Sequence, residues 1–336
     1  MLNRDLHIRY FKRCLEMLPA AMQSLDATRM TLVQLCLVGL AVFDAIDEAL
    51  TGDDKHRMIE WIYAQQVPAN ANNSNTQYRG FRGGSLFGPH GQIKYAPANC
   101  GNLAATYSAL CALVLLGDSL ERVDKPAIIG AMRQLQQESG CFSPHPHTTE
   151  RDPRFIYCAC AVAEILGDWS GIDIDAAVAY IQRCVCYDGG VTQGEFQEAH
   201  GGHLYCCVAS LALMRRLDAI PVDRVLKWAL FRQSDGYNGR INKAPDACYA
   251  FWVGASVEMM GGHDLIDADG TFAFLMKCQS KFGGVAKTPG EYPDPLHSAL
   301  GLVGYSFCRP DQLQPMSPSL LLPLSLTRAR SIGSAL

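Results

Sequence analysis

Apolar positions along this chain follow two alternating schemes, both with a helical period. In one, apolar residues fall three and four apart with charges opposite, over 55–65, 125–136, 174–184, 223–232 and 265–279. In the other, nearly every position is apolar or small, over 31–46, 102–116, 155–166, 204–213, 249–260 and 296–307. A helix with one polar face lies at a surface, whereas a helix apolar all round must be enclosed. With a further helix over 3–17 the pattern predicts twelve helices in six hairpins, and strand-like alternation is essentially absent.

Glycine-centred loops punctuate the pattern at Gly83-Gly84, Gly140, Gly189-Gly190, Gly236 and Gly283-Gly284, so their first glycines lie 57, 49, 47 and 47 residues apart. That is the length of a two-helix repeat. Three of the loops follow a glutamine at similar distance: Gln137, Gln233 and Gln279. Because every second helix is wholly apolar, a ring closed on itself is favoured over an open solenoid. The expectation is an all-α chain folded as an α/α barrel, with inner and outer helix layers in one domain over 1–310. The segment 311–336 lacks periodicity and is expected to be a peripheral or partly disordered tail without chemistry.

Charge and cysteine usage narrow the partners. The net charge is -4 with no basic run, which argues against a surface that tracks nucleic acid. No apolar run reaches the ~18 residues a membrane span needs. Six of the fourteen cysteines (Cys36, Cys111, Cys158, Cys160, Cys206 and Cys207) fall inside apolar helical stretches, and no secretory signal precedes them. Reduced, buried thiols and a cytoplasmic location are therefore expected.

The starts of the enclosed helices carry polar groups that a core would not choose: Thr31, Asn102, Arg154, His200 and His203, Asp246 and Cys248, and His297. Positions 102, 154, 203, 248 and 297 are 52, 49, 45 and 49 apart, so a closed ring would gather them at one rim of its cavity. Helix capping accounts for Thr and Asn. It does not account for Arg154, because a helix N-terminus is already partly positive and favours an anion. In the segment 239–249, Arg240 and Lys243 could grip a phosphate and Tyr249 could donate to it. Asp246, Cys248 and the distant His297 make a hard, a soft and a borderline ligand, a set that zinc accepts with one position open. On spacing alone, a structural cysteine and a hydrogen-bonded core histidine explain these residues more readily.

From about residue 10 to 307 the sequence resembles the β subunits of protein prenyltransferases. The resemblance rests on Gly-Arg-x-Asn-Lys-x-x-Asp-x-Cys-Tyr-x-Phe-Trp at 239–252, on His200-Gly201-Gly202, on Arg154-Phe155-Ile156-Tyr157-Cys158 and on Pro293-Asp294-Pro295-Leu296-His297. It implies an α/α barrel with one Zn²⁺ held by Asp246, Cys248 and His297, the thiol of a protein substrate completing the site. It further implies that His200, Arg240, Lys243 and Tyr249 hold the diphosphate of the prenyl donor and that Trp252 lines the isoprenoid cavity. Thr31, Asn102, Arg154, Phe155, Gly201, Gly202 and Leu296 are the other implied substrate contacts. The implied partners are an obligate α subunit and acceptors ending in C-a-a-X, such as Rho-family small GTPases.

Within that family the sequence is most similar to the type I geranylgeranyl-transferring kind, with the farnesyl and Rab kinds as alternatives. Thr31 is small where the farnesyl enzyme carries Trp, which leaves room for a longer chain. Lys287, ten residues before His297, replaces an Asp that in the farnesyl enzyme helps place Mg²⁺, so no magnesium requirement is expected. Leu296 stands where the farnesyl enzyme has Tyr, and Asp168-Trp169-Ser170-Gly171-Ile172-Asp173 also matches type I. Asn102 replaces the family's usual His and leaves the preferred last residue of C-a-a-X open. A terpene cyclase is disfavoured because Asp173-Ile174-Asp175 lacks consecutive carboxylates, and intact ligand motifs argue against a non-catalytic scaffold.

Overall fold

Helix starts in this chain coincide with side chains able to answer the first free amides. Thr51 and Asp54 form a reciprocal capping box, and Asp124, Asp173 and Asp267 cap three further amphipathic helices. Asn102, Asp152, His200 and Asp294 do the same for four of the enclosed ones. Such caps contribute about 1 kcal/mol each and fix where the chain turns into the barrel.

The computed structural model describes residues 1–17, 20–85 and 100–332. The enclosed helices are α2 (Arg29–Ala41), α5 (Leu103–Leu115), α7 (Pro153–Leu166), α9 (Gly201–Leu213), α11 (Tyr249–Met259) and α13 (Pro295–Cys308). The amphipathic ones are α1 (Arg4–Glu16), α4 (Gly52–Ala64), α6 (Lys125–Leu135), α8 (Ile174–Cys184), α10 (Val222–Leu230) and α12 (Ala268–Cys278), and α3 (Ile46–Ala49) and α14 (Leu324–Ala329) are short. Each enclosed helix packs on the next, and α13 packs back on α2. That contact closes the inner ring. Five of the outer helices, α1, α4, α6, α10 and α12, pack on the inner helix that follows them. The described residues contain isolated β-bridges but no strand, and no helix long and apolar enough to cross a membrane. All fourteen cysteines are free thiols.

The repeated glycines and glutamines weld neighbouring units. Gly140, at φ +90°, lies so close to α8 that a Cβ would meet the Ala176 carbonyl oxygen at 1.9 Å. Gly283 meets the Leu6 oxygen of α1 at 2.1 Å in the same way, so the last loop docks on the first helix. Beside these glycines, Gln136, Gln233 and Gln279 accept the backbone N–H of the N-cap residues Asp173, Asp267 and Asn3 at 2.7, 3.0 and 3.0 Å. In the second unit this role falls to Gln136 rather than to Gln137, which donates to Ser143 and accepts from Arg151. Gln136 stands four residues before its glycine, as Gln279 does.

The segment after α13 departs from the expectation of a peripheral tail; its last residues, 333–336, lie outside the described ones. Leu313, Met316, Leu320, Leu321 and Leu322 are buried. The Ser319 and Leu320 carbonyls accept hydrogen bonds from Tyr157 and Tyr107 of the inner helices. The segment's tip is a tight turn, closed by Ser317 N to Leu322 O (2.7 Å) and a Met316–Pro323 bridge, and a strap whose carbonyls are answered by remote side chains needs no periodicity of its own.

Candidate metal and diphosphate site

Of the polar residues at the inner-helix starts, Asp246, Cys248 and His297 form one cluster and His200 meets Tyr249. Asp246 and Cys248 lie where the chain enters α11, pinned by Asp246 N to Tyr237 O (2.9 Å) and Ala247 N to Lys287 O (3.0 Å). His297 lies in the first turn of α13. There Asp294 accepts the His297 backbone N–H through Oδ1 (3.0 Å) and the Nδ1–H of the ring through Oδ2 (2.6 Å). The ring is thereby fixed with Nε2 toward Asp246 Oδ1, at 3.3 Å.

One ligand atom from each of Asp246, Cys248 and His297 can be chosen so that all lie within 4.8 Å of one another, the one such cluster among the described residues. Bonds of about 2.0–2.3 Å to a tetrahedral ion place donors roughly 3.5 Å apart, so only a small contraction is needed. The donor set and its carboxylate-oriented histidine fit a thiophilic cation. Cys248 is buried, and the Asp246 and His297 side chains are 13% and 16% exposed.

The electrostatics agree with that fit. Burial disfavours a charged imidazole, but hydrogen bonds and attraction from Asp246 and Asp294 outweigh it and hold His297 up at about 9. Burial likewise opposes the Asp246 carboxylate, which His297 and Cys248 nevertheless hold below its ordinary range. Burial and then the neighbouring Asp246 charge push the Cys248 thiol well up. A cation among these groups reverses the balance at the sulfur, since coordination favours the thiolate.

Next to this cluster, His200 caps α9: its Nδ1 accepts the Gly202 N–H at 2.9 Å, and its Nε2 lies 2.8 Å from the Tyr249 hydroxyl. An imidazole whose Nδ1 accepts carries its proton on Nε2, so His200 donates to the Tyr249 oxygen and leaves the phenol proton free to point elsewhere. Burial, then repulsion from His203 and Arg240, lowers the His200 pKa to about 4. His200 is therefore neutral near pH 7 and serves Tyr249 rather than acting as a cation.

The motif glycines shape the slot for that phenol. A Cβ at Gly239 would lie 2.0 Å from Tyr249 Cζ, and one at Gly201 would lie 3.0 Å from Cδ1. The two glycines are themselves tied, Gly201 N to Gly239 O, at 2.8 Å. Arg240 pairs with Glu198 at 2.9 Å across a half-exposed surface, a contact weak enough to be exchanged for a phosphate. Lys243 and Lys287 are exposed and form no ion pair among the described residues.

Other expected residues fall into quieter roles. The guanidinium of Arg154 is taken by Asp152 (2.9 Å) and Glu150 (3.3 Å), so the anion its position calls for is supplied within the chain. Phe155 is buried, with Arg154 stacked 5.5 Å from its centroid. Asn102 caps α5 through Oδ1, accepting from Ala104 N and Ala105 N, as the capping reading has it. Thr31 meets Ser108 at 3.2 Å and, with Asn102 and His145, lines a cavity of about 260 Å³. Trp252 packs edge-on against Tyr205 at 5.1 Å, and Leu296 is exposed at the rim. Sequence reasoning gave no role to Asp294, which it named only within a motif, and missed Asp152 and Glu198. Each had a visible signal, a carboxylate two to three residues before a candidate or in the loop facing it.

The chain matches the family profile of the prenyltransferase alpha-alpha toroid domain over residues 2–322. It is 37% identical to the geranylgeranyl transferase type-1 subunit beta of Arabidopsis thaliana, across 96% of this chain and 89% of that protein. Against the same subunit of Dictyostelium discoideum the identity is again 37%, across 96% and 95% of the two chains. The fold superposes on that of Candida albicans protein geranylgeranyltransferase-I complexed with GGPP with a TM-score of 0.89 over the whole of both chains, at 24% identity.

Proposed function

The chain belongs to the prenyltransferase alpha-alpha toroid family, and from that premise we propose that it is the catalytic β subunit of a type I protein geranylgeranyltransferase. In this reading it transfers geranylgeranyl from its diphosphate to the cysteine thiol of proteins ending in C-a-a-X. The observation that carries the reading is the convergence of Asp246, Cys248 and His297 beside the His200–Tyr249 pair. One group of side chains suits a nucleophilic thiol and the other a departing anion.

Asp246, Cys248 and His297 would hold one zinc ion, with Asp294 orienting the histidine. When bound, zinc lowers the pKa of a coordinated acceptor thiol so that it is a thiolate near neutral pH. Tyr249, with its oxygen engaged by His200, presents its proton to the diphosphate. Arg240 exchanges Glu198 for the same phosphates, and Lys243 adds a second charge. These groups are prepositioned where negative charge grows as the C–O bond breaks, which is where stabilisation lowers the barrier. Trp252, one turn into α11, offers an apolar wall for the isoprenoid.

Lys287 supports independence from magnesium. Its backbone oxygen binds Ala247, between the two ligands, and its side chain is exposed at the same rim. Transfer that rises severalfold on addition of Mg²⁺ would remove this role from Lys287.

An α subunit as partner is supported by an apolar collar around the same rim. Tyr187, Phe196, Phe231, Ile241, Phe282 and Tyr292 are exposed on the loops that follow α8, α10 and α12. Monomeric proteins rarely leave so much aromatic surface bare. The deciding experiment co-expresses the chain with a prenyltransferase α subunit and offers geranylgeranyl and farnesyl diphosphates with peptides ending in Leu, Phe, Ser or Met. Preferential geranylgeranyl transfer to a Leu-ending peptide is expected; preferential farnesyl transfer would move the chain to the farnesyl kind. In that reading the domain extends past 310, because Leu313, Met316 and Leu320 to Leu322 are buried against it.

A further inference from the structure

Three of the glycine loops present an equivalent amide, and the last loop alone answers it from the other end of the chain. The amides are Cys141 N, Gly190 N and Gly284 N, each just before a residue that bridges back: Phe142, Val191 and Val285. Ser139 Oγ accepts from Cys141 N (3.4 Å) and Asp188 Oδ1 from Gly190 N (2.9 Å), both inside their own loops. Gly284 N donates instead to Nδ1 of His7 in α1, at 3.1 Å and 277 residues away. Because that Nδ1 accepts, the ring carries its proton on Nε2, which lies 2.9 Å from Gln279 Oε1 and donates to it. One fully buried histidine thus fastens both sides of the loop.

From Gly284 the backbone runs to Lys287, and its next fastenings lead to the metal cluster. Val285 N donates to Ser298 Oγ at 2.8 Å, and the Ser298 hydroxyl donates to Val285 O at 3.2 Å. Ser298 is fully buried and directly follows His297. Lys287 O accepts the N–H of Ala247, between Asp246 and Cys248, at 3.0 Å. Both halves of the ligand set are therefore tied to one short backbone run. Deeper in the barrel α11 and α13 touch at Gly304, where a Cβ would lie 2.3 Å from the Ala250 carbonyl carbon. That contact is two turns beyond His297 and leaves the rim ends, which carry the ligands, to be fixed by the run. The barrel as such does not need the hydroxyl: four residues after their N-caps, where α13 has Ser298, α7 and α9 carry Ile156 and Leu204. Thr106 of α5 makes the same kind of bond, accepting Phe81 N at 2.9 Å, in a unit without a metal ligand.

We propose that Ser298 and His7 are positioning residues for the zinc ligands, holding the run 284–287 so that His297 stays within coordinating reach of Asp246 and Cys248. The proposal rests on the reading of that cluster as a zinc site and makes the first helix of the chain part of its support. Ligands already held near one another cost less to order when an ion binds than ligands on two free helix ends. Ser298→Ala strands the Val285 N–H in the interior and frees the run from the residue beside His297. His7→Phe does the same at Gly284 with little change in volume.

The test measures zinc affinity by chelator competition on the heterodimer with its α subunit, for the parent, Ser298→Ala, His7→Phe and Thr106→Val. Thr106→Val removes the matching bond in α5 and is the control for a general loss of stability, which thermal melts record for every variant. Affinity is expected to fall about tenfold in Ser298→Ala and in His7→Phe, and to stay within about twofold of the parent in Thr106→Val. Affinity within about twofold of the parent in Ser298→Ala or a folded His7→Phe, or an equal fall in the control, overturns the proposal. Should His7→Phe not fold, Ser298→Ala against the control decides. A parent heterodimer that binds no zinc refutes the reading of the metal site itself, and the positioning roles with it.

Discussion

Replacing Gly239 by alanine tests how tightly the site is built around one phenol. The new Cβ would stand 2.0 Å from Tyr249 Cζ and 2.3 Å from its oxygen, against a normal carbon contact of about 3.5–4.0 Å. The ring must therefore move by roughly 1.5 Å. It cannot slide toward Gly201, where the clearance is already that of a glycine, and Gly239 is tied to Gly201 through its own carbonyl. A displacement of that size breaks the 2.8 Å bond to His200 and removes the phenol from the leaving group. Misplacing a catalytic group by about 1 Å costs on the order of 100-fold in rate. Single-turnover transfer by Gly239→Ala should fall by about that factor with metal content unchanged, and Tyr249→Phe should fall similarly. Because both act through one group, the double variant should be no slower than either single one. A Gly239→Ala enzyme within about twofold of the parent, or a double variant showing the full product of the two losses, would refute the reasoning.

Three further outcomes follow from named contacts. Asp294→Ala frees the His297 ring, so affinity for zinc measured by chelator competition should weaken about 10–100-fold while helix content is kept. Arg240→Gln should lower transfer by weakening the hold on the diphosphate, whereas Glu198→Gln, which only releases Arg240, should leave transfer equal or slightly faster in the same assay. Asp152 is lowered to about 2: burial opposes its charge, and hydrogen bonds to His203 and Arg154 outweigh that penalty. A depressed carboxylate stabilises the fold above its unfolded pKa of about 3.9 and loses that contribution as pH falls toward 2. Thermal melts should therefore show Asp152→Asn less stable by about 2 kcal/mol between pH 5 and 7, with the gap narrowing below pH 4.

Much of the architecture is legible in the sequence because each layer has its own periodic signature. Enclosed helices such as α9 and α13 are apolar all round, and the twelve predicted stretches all form helices. Asp246, Cys248 and His297 could be gathered only by joining ring closure to a family resemblance, since 49 residues separate the cysteine from the histidine. What stayed hidden depends on contacts without local pattern. The strap is held by phenols more than 100 residues away, so Leu320 reads in sequence as one leucine among many. Arg154 could be placed at a helix start, but its partner Asp152 reads as an ordinary cap. His200 reads as a direct diphosphate contact until Gly202 and Tyr249 are seen to occupy both of its nitrogens.

The most direct test of the site is the metal content of the purified heterodimer, measured by atomic absorption for the parent and for Asp246→Ala, Cys248→Ala and His297→Ala. The account predicts one zinc per parent heterodimer, loss of zinc in all three variants, and loss of transfer in parallel with it. Full zinc and full transfer in any of the three would contradict it.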